Sequence, residues 1–171
     1  KHGGTINDIG VHTVDTVQWL TGCDVVEITG ARVWNGKASA TPWFKDCAQF
    51  MLRLSNDAGV ISDVSYLSPD NCGSNVPQYW RITVHGDDGM LECSSKEPTV
   101  TFARSKDKKP RALKCPANSP TSYLHDFVNE IQGKATADQL TTQYVLQTTR
   151  TALKIQQSAD QNRSFPIALK K

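Results

Sequence analysis

The sequence lacks a dominant charge and a long apolar run, and each absence excludes a class of protein. Its 19 Lys and Arg residues face 17 Asp and Glu residues, so a net charge of +2 gives no broad basic field for nucleic acid or an anionic membrane. The longest apolar runs, such as residues 50–52, fall far short of the roughly 18 to 20 residues of a membrane span. We therefore expect a soluble domain with no nucleic-acid or membrane partner.

Two further patterns are missing. The five cysteines are odd in number and form no C-x-x-C pair, which excludes the usual zinc and dithiol redox motifs and predicts reduced, packed thiols. Free thiols favour a reducing cytoplasm as the default compartment, although an export signal would lie in a missing N-terminal region. No G-x-G-x-x-G or G-x-x-x-x-G-K pattern occurs, so we expect no cofactor-binding residues in this chain.

What is present indicates one α+β domain over residues 1–171. A helical period over Thr5 to Leu20, capped by Thr5 and ended by Thr21-Gly22, precedes a run of strands, and two helices follow them. This order predicts an open, mostly antiparallel sheet with helices packed on one face. Alternating apolar residues mark three strands: Val26, Ile28 and Trp34; Ala48, Phe50, Leu52 and Leu54; Val60, Val64 and Tyr66.

The turns and the tail helices have signals of their own. Residues 55–59 predict a hairpin with a positive φ at Gly59, and residues 86–89 predict a second turn. Ser119-Pro120 is a helix start, Gly133 is a stop, and a longer helix is predicted over about 138–159. The first tail helix is predicted to bury four side chains: Leu124, Phe127, Val128 and Ile131.

The first helix carries the residues with chemical potential. At about 100° per residue its apolar face includes Ile6, Val14 and Leu20, and the side chains of Asp8, His12 and Asp15 fall within roughly 60° on the opposite face. Gly10 lies on the apolar face, and because glycine costs about 1 kcal/mol in a helix interior, it predicts a backbone or flat ring packed closely there.

Asp8 and His12 are four residues apart, so the carboxylate can fix the tautomer of the imidazole and stabilise it once it has taken a proton. The alternative interpretation is structural: Thr5-x-x-Asp8 resembles a capping box, and His12 is then a surface histidine. Asp15, three residues further on, completes a carboxylate-histidine-carboxylate set and is a candidate for substrate binding, but one helix supplies too few ligands to predict a metal site. The alternative, which the helix alone favours, is a solvated or structural role for Asp15. The aromatic residues near the strands, Tyr66 among them, fit a sugar site or ordinary packing.

The run Gly3-Gly4-Thr5-Ile6-Asn7-Asp8-Ile9-Gly10-Val11-His12, followed by Trp19-Leu20-Thr21-Gly22, resembles the opening of the C-terminal domain of the Gfo/Idh/MocA oxidoreductases. Residues 82–92 look like that family's strand-turn-strand, and residues 123–127 and 164–167 look like its closing segment. The likeness covers most of the chain, and its D-x-G-x-H arrangement is the most specific part.

The resemblance implies a function. His12 would exchange a proton with the substrate hydroxyl, and Asp8 would hold and tune His12. The substrate would be a sugar, an inositol or a related polyol, and NAD or NADP would take up the hydride. In full-length members a Rossmann domain with a catalytic lysine precedes this point, so we expect this chain alone to bind no cofactor and to be inactive. The exposed sheet face would form a homo-oligomer.

Two alternatives remain open. A stand-alone binding or dimerisation module would keep the fold without the chemistry, and its parent gene would encode no nucleotide-binding unit. A metal-dependent hydrolase or isomerase using Asp8, His12 and Asp15 would need further ligands from residues 70–75 or His2.

Overall fold

The computed structural model describes residues 3–77, 79–115, 122–136 and 140–168, and the chain divides into two compact units. The main unit comprises Lys1–Leu67 and Tyr123–Lys171, and the small unit comprises Ser68–Ser122. That residues 1–171 act as one domain stays a prediction. Within the described ranges, no helix has the length and apolar character needed to cross a membrane.

In chain order the elements are a π-helical segment (Ile6–Gly10), α1 (Val11–Thr21), β1 (Val25–Trp34), β2 (Cys47–Leu54), β3 (Gly59–Ser65), β4 (Ile82–Gly86), β5 (Gly89–Cys93), β6 (Thr99–Arg104), β7 (Arg111–Lys114), α2 (Tyr123–Ile131), α3 (Thr142–Gln161) and β8 (Phe165–Pro166). Each unit is built on an antiparallel sheet of four strands, in the order β3-β2-β1-β8 in the main unit and β4-β5-β6-β7 in the small unit. The predicted α+β class with an open antiparallel sheet is confirmed, although the strands are shared between two sheets.

The core of the main unit lies between its sheet and the helices α1 and α3. The alternation predicted for β2 is confirmed, since every second side chain of that strand is at most 2% exposed. Ile6, Val14 and Ile155 cover this face from the helices and are fully buried. Each such side chain contributes about 1.5 to 3 kcal/mol when it is fully buried.

The alternation predicted for β1 is wrong. Val25 and Ile28, three residues apart, are the buried positions, whereas Val26 and Trp34 are only half-buried. The pairing with β2 shifts register at two places within this stretch. A β-bulge adds one residue to one strand and so exchanges its inward and outward positions.

The predicted hairpin of β2 and β3 is confirmed, but its positive φ is at Asp57 (66°) rather than at Gly59. Aspartate tolerates the left-handed region better than most residues do. The Asp57 carboxylate also accepts a hydrogen bond from Arg53 at 2.9 Å. The turn therefore uses a polar side chain where glycine was expected.

The side of α2 predicted to face inward is exposed. Leu124, Phe127, Val128 and Ile131 are 46–70% exposed, and the buried residue of this helix is Asp126. The Asp126 carboxylate accepts the Leu140 N–H at 3.3 Å, which turns the polar side of the helix inward. The predicted start at Ser119-Pro120 lies outside the described residues.

The second tail helix, α3, begins at Thr142, later than predicted. Thr141 caps it by accepting the Tyr144 N–H at 3.2 Å. Its end at Asn162, in the left-handed conformation, is close to the predicted one. All five cysteines are free, as predicted, but Cys72 and Cys115 are exposed rather than packed.

Candidate active site

The helix that carries Asp8 and His12 begins with an unusual turn. The Val11 N–H donates to the Ile6 carbonyl, five residues back, which defines a π turn where an α-helix would bond four residues back. Turns of this kind occur frequently at functional sites. Asp8 lies inside the turn, and His12 is the second residue of α1.

Thr5 does not cap this helix, so the capping-box interpretation fails at the residue on which it depends. Thr5 has helical backbone angles and is fully buried. Its N–H and its hydroxyl both donate to the Lys45 carbonyl, at 3.0 and 2.5 Å. The start of the helix is thereby attached to the segment that precedes β2.

The opposite side of the helix packs on the sheet. Ile6, Gly10, Val14 and Gln18 are buried at regular four-residue intervals, whereas Leu20, predicted on the apolar face, is 41% exposed. A Cβ placed on Gly10 would lie 3.1 Å from an edge carbon of the Phe50 ring. The close ring contact predicted from Gly10 is therefore confirmed.

Asp8 and His12 are both exposed, as the helical period predicted. The Tyr66 hydroxyl donates a hydrogen bond to Oδ2 of Asp8, 58 residues away in the sequence. The arrangement therefore offers an oriented carboxylate and an imidazole on consecutive parts of one helix, both open to a small molecule.

Asp15 has different surroundings. It is half-buried, and its backbone carbonyl accepts a hydrogen bond from the Tyr144 hydroxyl of α3 at 3.1 Å. Burial, and then the Asp15 charge, raise the pKa of Tyr144 to about 12. The structure thus brings Asp15 against α3, and its part in substrate binding stays a prediction.

The contact of Tyr66 with Asp8 is the feature of this site that sequence reasoning missed. Burial, and then the hydrogen bond to Asp8 and the charge of Asp8, raise the pKa of Tyr66 to about 12, so the phenol is protonated at neutral pH and acts as a donor. One signal was present in the sequence. Val60, Ser62 and Val64 face the helices from β3, and the same alternation continued to position 66 predicts a side chain on that face.

A buried carboxylate holds the loop beside Tyr66. Asp46, only 2% exposed, accepts the backbone N–H groups of Gly36, Lys37 and Ala38 at 2.6 to 2.7 Å. The N–H of Gly36, and with it those of Ala38 and Lys37, holds the pKa of the Asp46 carboxyl far below its ordinary range, against the opposing effect of burial. Burial and this neighbouring carboxylate raise the pKa of Cys47 to about 11.

From the lowered pKa of Asp46 we predict that acid destabilises the main unit. Because its pKa is lower in the folded than in the unfolded chain, its stabilisation is complete above the unfolded value of about 3.9 and is lost as the pH falls from there toward the folded value. We expect Asp46→Asn to lower the thermal midpoint at pH 7 and to remove this part of the acid dependence. Thermal scans of both proteins between pH 7 and pH 2 measure it, and parallel curves would contradict the prediction.

The sequence has no G-x-G-x-x-G or G-x-x-x-x-G-K pattern of the kind that binds the phosphates of a dinucleotide or nucleotide. In the part of the chain that the structure describes, no group of three or more His, Cys, Asp or Glu side chains is arranged to hold a metal ion. Asp8, His12 and Tyr66 carry side chains that can form hydrogen bonds and transfer protons.

Comparison with known proteins agrees with the fold. The model of the GFO/IDH/MocA C-terminal domain matches residues 1–92, which include the π turn, α1 and Tyr66. A comparison with curated proteins returns no match.

Several solved structures share the architecture. A protein from Thermotoga maritima that is described as an oxidoreductase is 25% identical in sequence, with a TM-score of 0.78. The match covers 96% of this chain and 47% of that one. The aldose-aldose oxidoreductase from Caulobacter crescentus complexed with glycerol is 18% identical with a TM-score of 0.72, over 96% and 48%. An oxidoreductase from Agrobacterium radiobacter in complex with NAD+, L-tartaric acid and magnesium is 19% identical with a TM-score of 0.69, over 93% and 48%.

This chain thus spans about half the length of the solved structures that it matches. The family model covers more than half of the chain, from its first residue to residue 92 in β5. The chain therefore belongs to the Gfo/Idh/MocA oxidoreductase family, as a C-terminal domain of that type.

Proposed function

We propose that this chain is the substrate-binding domain of an oxidoreductase that acts on the CH–OH group of a sugar, an inositol or a related polyol. The observation that carries the proposal is the exposed carboxylate of Asp8, oriented by Tyr66, with the exposed imidazole of His12 on the next part of the same helix. Two of the similar structures contain hydroxylated small molecules, glycerol and L-tartaric acid, which supports this substrate class.

The step proposed for this chain is a proton transfer. In oxidation the O–H bond of the substrate breaks and its proton passes to the imidazole of His12, while the carbon loses a hydride as the carbonyl forms. Asp8 stabilises the imidazolium, and Asp15 contributes to substrate binding. In reduction His12 returns the proton to the oxygen.

The hydride needs an acceptor that this chain does not hold. The structural neighbour bound to NAD+ supports NAD or NADP as that cofactor. Since the sequence has no glycine-rich phosphate-binding motif, we assign the cofactor to a Rossmann domain of the same protein, outside this chain. The parent gene should then encode a βαβ unit with G-x-G-x-x-G upstream of Lys1, and a parent without one would favour the non-catalytic module.

A substrate screen tests the proposal. The full-length protein is mixed with NAD+ or NADP+ and a panel of aldoses, inositols and linear polyols, and reduced nicotinamide is followed by its absorbance. We expect turnover of at least one polyol. Turnover of none of them, in either direction, by protein that binds the cofactor would overturn the proposed substrate class.

We also propose a homo-oligomer formed through the sheet face that the helices of the main unit leave open. Ile61 and Met51 are directly paired across β3 and β2 on that face and are 85% and 48% exposed. We expect Ile61→Lys to shift the mass measured by light scattering from oligomer to monomer, because a buried unpaired charge is costly. Leu153→Lys, an exposed apolar position on α3, is the matched control, and an unchanged oligomer in Ile61→Lys would contradict this interface.

A further inference from the structure

The hydrogen bond between Tyr66 and Asp8 connects two distant parts of the main unit. Tyr66 directly follows β3, and Asp8 lies in the π turn that opens the first helix. The bond therefore ties an exposed, catalytically placed carboxylate to the end of a sheet strand.

Tyr66 is itself held at two further points. Its backbone N–H donates to the Asp46 carbonyl at 2.9 Å, and its ring packs on that of Phe44, with centroids 5.4 Å apart and planes inclined by 56°. The Phe44 carbonyl accepts the Asn35 side-chain amide at 2.5 Å, and the Asp46 carboxylate binds three backbone N–H groups of the same loop. The phenol thus projects from a loop with little freedom to move.

The helix is attached to the same loop at a second place. Thr5, three residues before Asp8, donates twice to the Lys45 carbonyl and is fully buried. Breaking such a buried hydrogen bond costs about 1 to 3 kcal/mol. Asp8 and Tyr66 are therefore kept in register by contacts on both sides of the pair.

We propose that Tyr66 is a positioning residue, whose hydroxyl orients the Asp8 carboxylate so that it supports His12. A hydrogen bond to a carboxylate is charge-assisted and directional, and it stabilises the ionised form. It engages Oδ2 of Asp8, and the carboxylate therefore presents its other oxygen in a defined direction. This inference rests on the proposed function, because it gives Tyr66 no role apart from Asp8 and His12.

The first test reads the hydrogen bond without activity. In the full-length protein labelled with ¹³Cζ-tyrosine, with the Tyr66 resonance assigned by Tyr66→Phe, we expect Asp8→Asn to shift that resonance at neutral pH. Asp63→Asn, which alters an exposed carboxylate on β3, should leave it in place. A Tyr66 resonance unmoved by Asp8→Asn would overturn the inference.

The second test is a kinetic double-mutant cycle in the same protein. Tyr66→Phe keeps the ring on Phe44 and should lower kcat by about 3- to 10-fold, the effect of one lost hydrogen bond, with little change in KM. In an Asp8→Asn background it should have no further effect. Tyr144→Phe, which also removes a hydroxyl donating to this helix, is the matched control and should retain kcat within about twofold.

The outcomes separate the two proposals. An equal loss from Tyr66→Phe in both backgrounds would show that Tyr66 acts independently of Asp8 and would overturn the positioning role alone. A full rate in His12→Ala would overturn the proposed function, and the positioning role with it, even if the tyrosine resonance reports the bond.

Discussion

His12→Ala, made in the full-length protein, is expected to lower the rate of hydride transfer by about 10²- to 10⁴-fold, the usual contribution of a positioned general base. The imidazole is exposed on the helix that also carries Asp8, and the substitution removes the group that we propose receives the proton of the substrate hydroxyl. Single-turnover measurement of nicotinamide reduction under saturating substrate isolates the step.

A matched control exists in α2. His125 is an exposed histidine that contacts Asn129 at 3.4 Å, and His125→Ala should retain the rate within a few fold. Added imidazole should restore part of the rate to His12→Ala and none to a variant that has lost its fold. Asp8→Asn should reduce the rate less than His12→Ala, since it removes the support and keeps the base. Rates within a few fold of the unaltered protein in both variants would refute the assignment.

Gly89→Ala is expected to have the largest effect on stability. Gly89 begins β5 with a φ of 149°, which side chains rarely adopt, and a Cβ there would lie 2.1 Å from the Ala103 carbonyl oxygen of β6. Neither backbone can yield without breaking the pairing of the two strands. Strain and overpacking together should cost about 3 kcal/mol or more.

Gly86→Ala is the control within the same turn. At Gly86 the nearest atom to an added Cβ is the Gly89 carbonyl oxygen at 3.9 Å, an ordinary contact, and φ is not positive. Urea unfolding measures the free energy, and amide exchange in β5 and β6 locates the damage in the small unit. Equal stability of the two variants would contradict the predicted clash between a Cβ at position 89 and the Ala103 carbonyl oxygen.

Patterns with a strong local cause could be predicted from the sequence. The buried side of β2 follows from alternation over eight residues, and the contact of Gly10 with an aromatic ring follows from the cost of glycine in a helix. The exposure of Asp8 and His12 follows from the helical period. In each case the residues nearby determine the result.

Features set by one extra residue or by distant partners could not be predicted. The bulges of β1 and the π turn each alter the phase of an element, and neither has a clear signature in residue type. The inward side of α2 carries Asp126, and its hydrogen-bond partner, the Leu140 N–H, lies 14 residues further along the chain. The bond from Tyr66 to Asp8 spans 58 residues, and only the pairing of the strands brings the two together.

The π turn gives the two members of the proposed pair different backbone settings. Asp8 lies within the wide turn, whereas His12 lies beyond it, on a regular helix seated against Phe50 by Gly10. Deleting one residue between them would convert the wide turn to an ordinary one and would swing the carboxylate around the helix axis by about 100° while the imidazole stayed in place. Insertions and deletions in this short stretch thus offer a simple route by which related sequences could gain or lose the pairing in a single step.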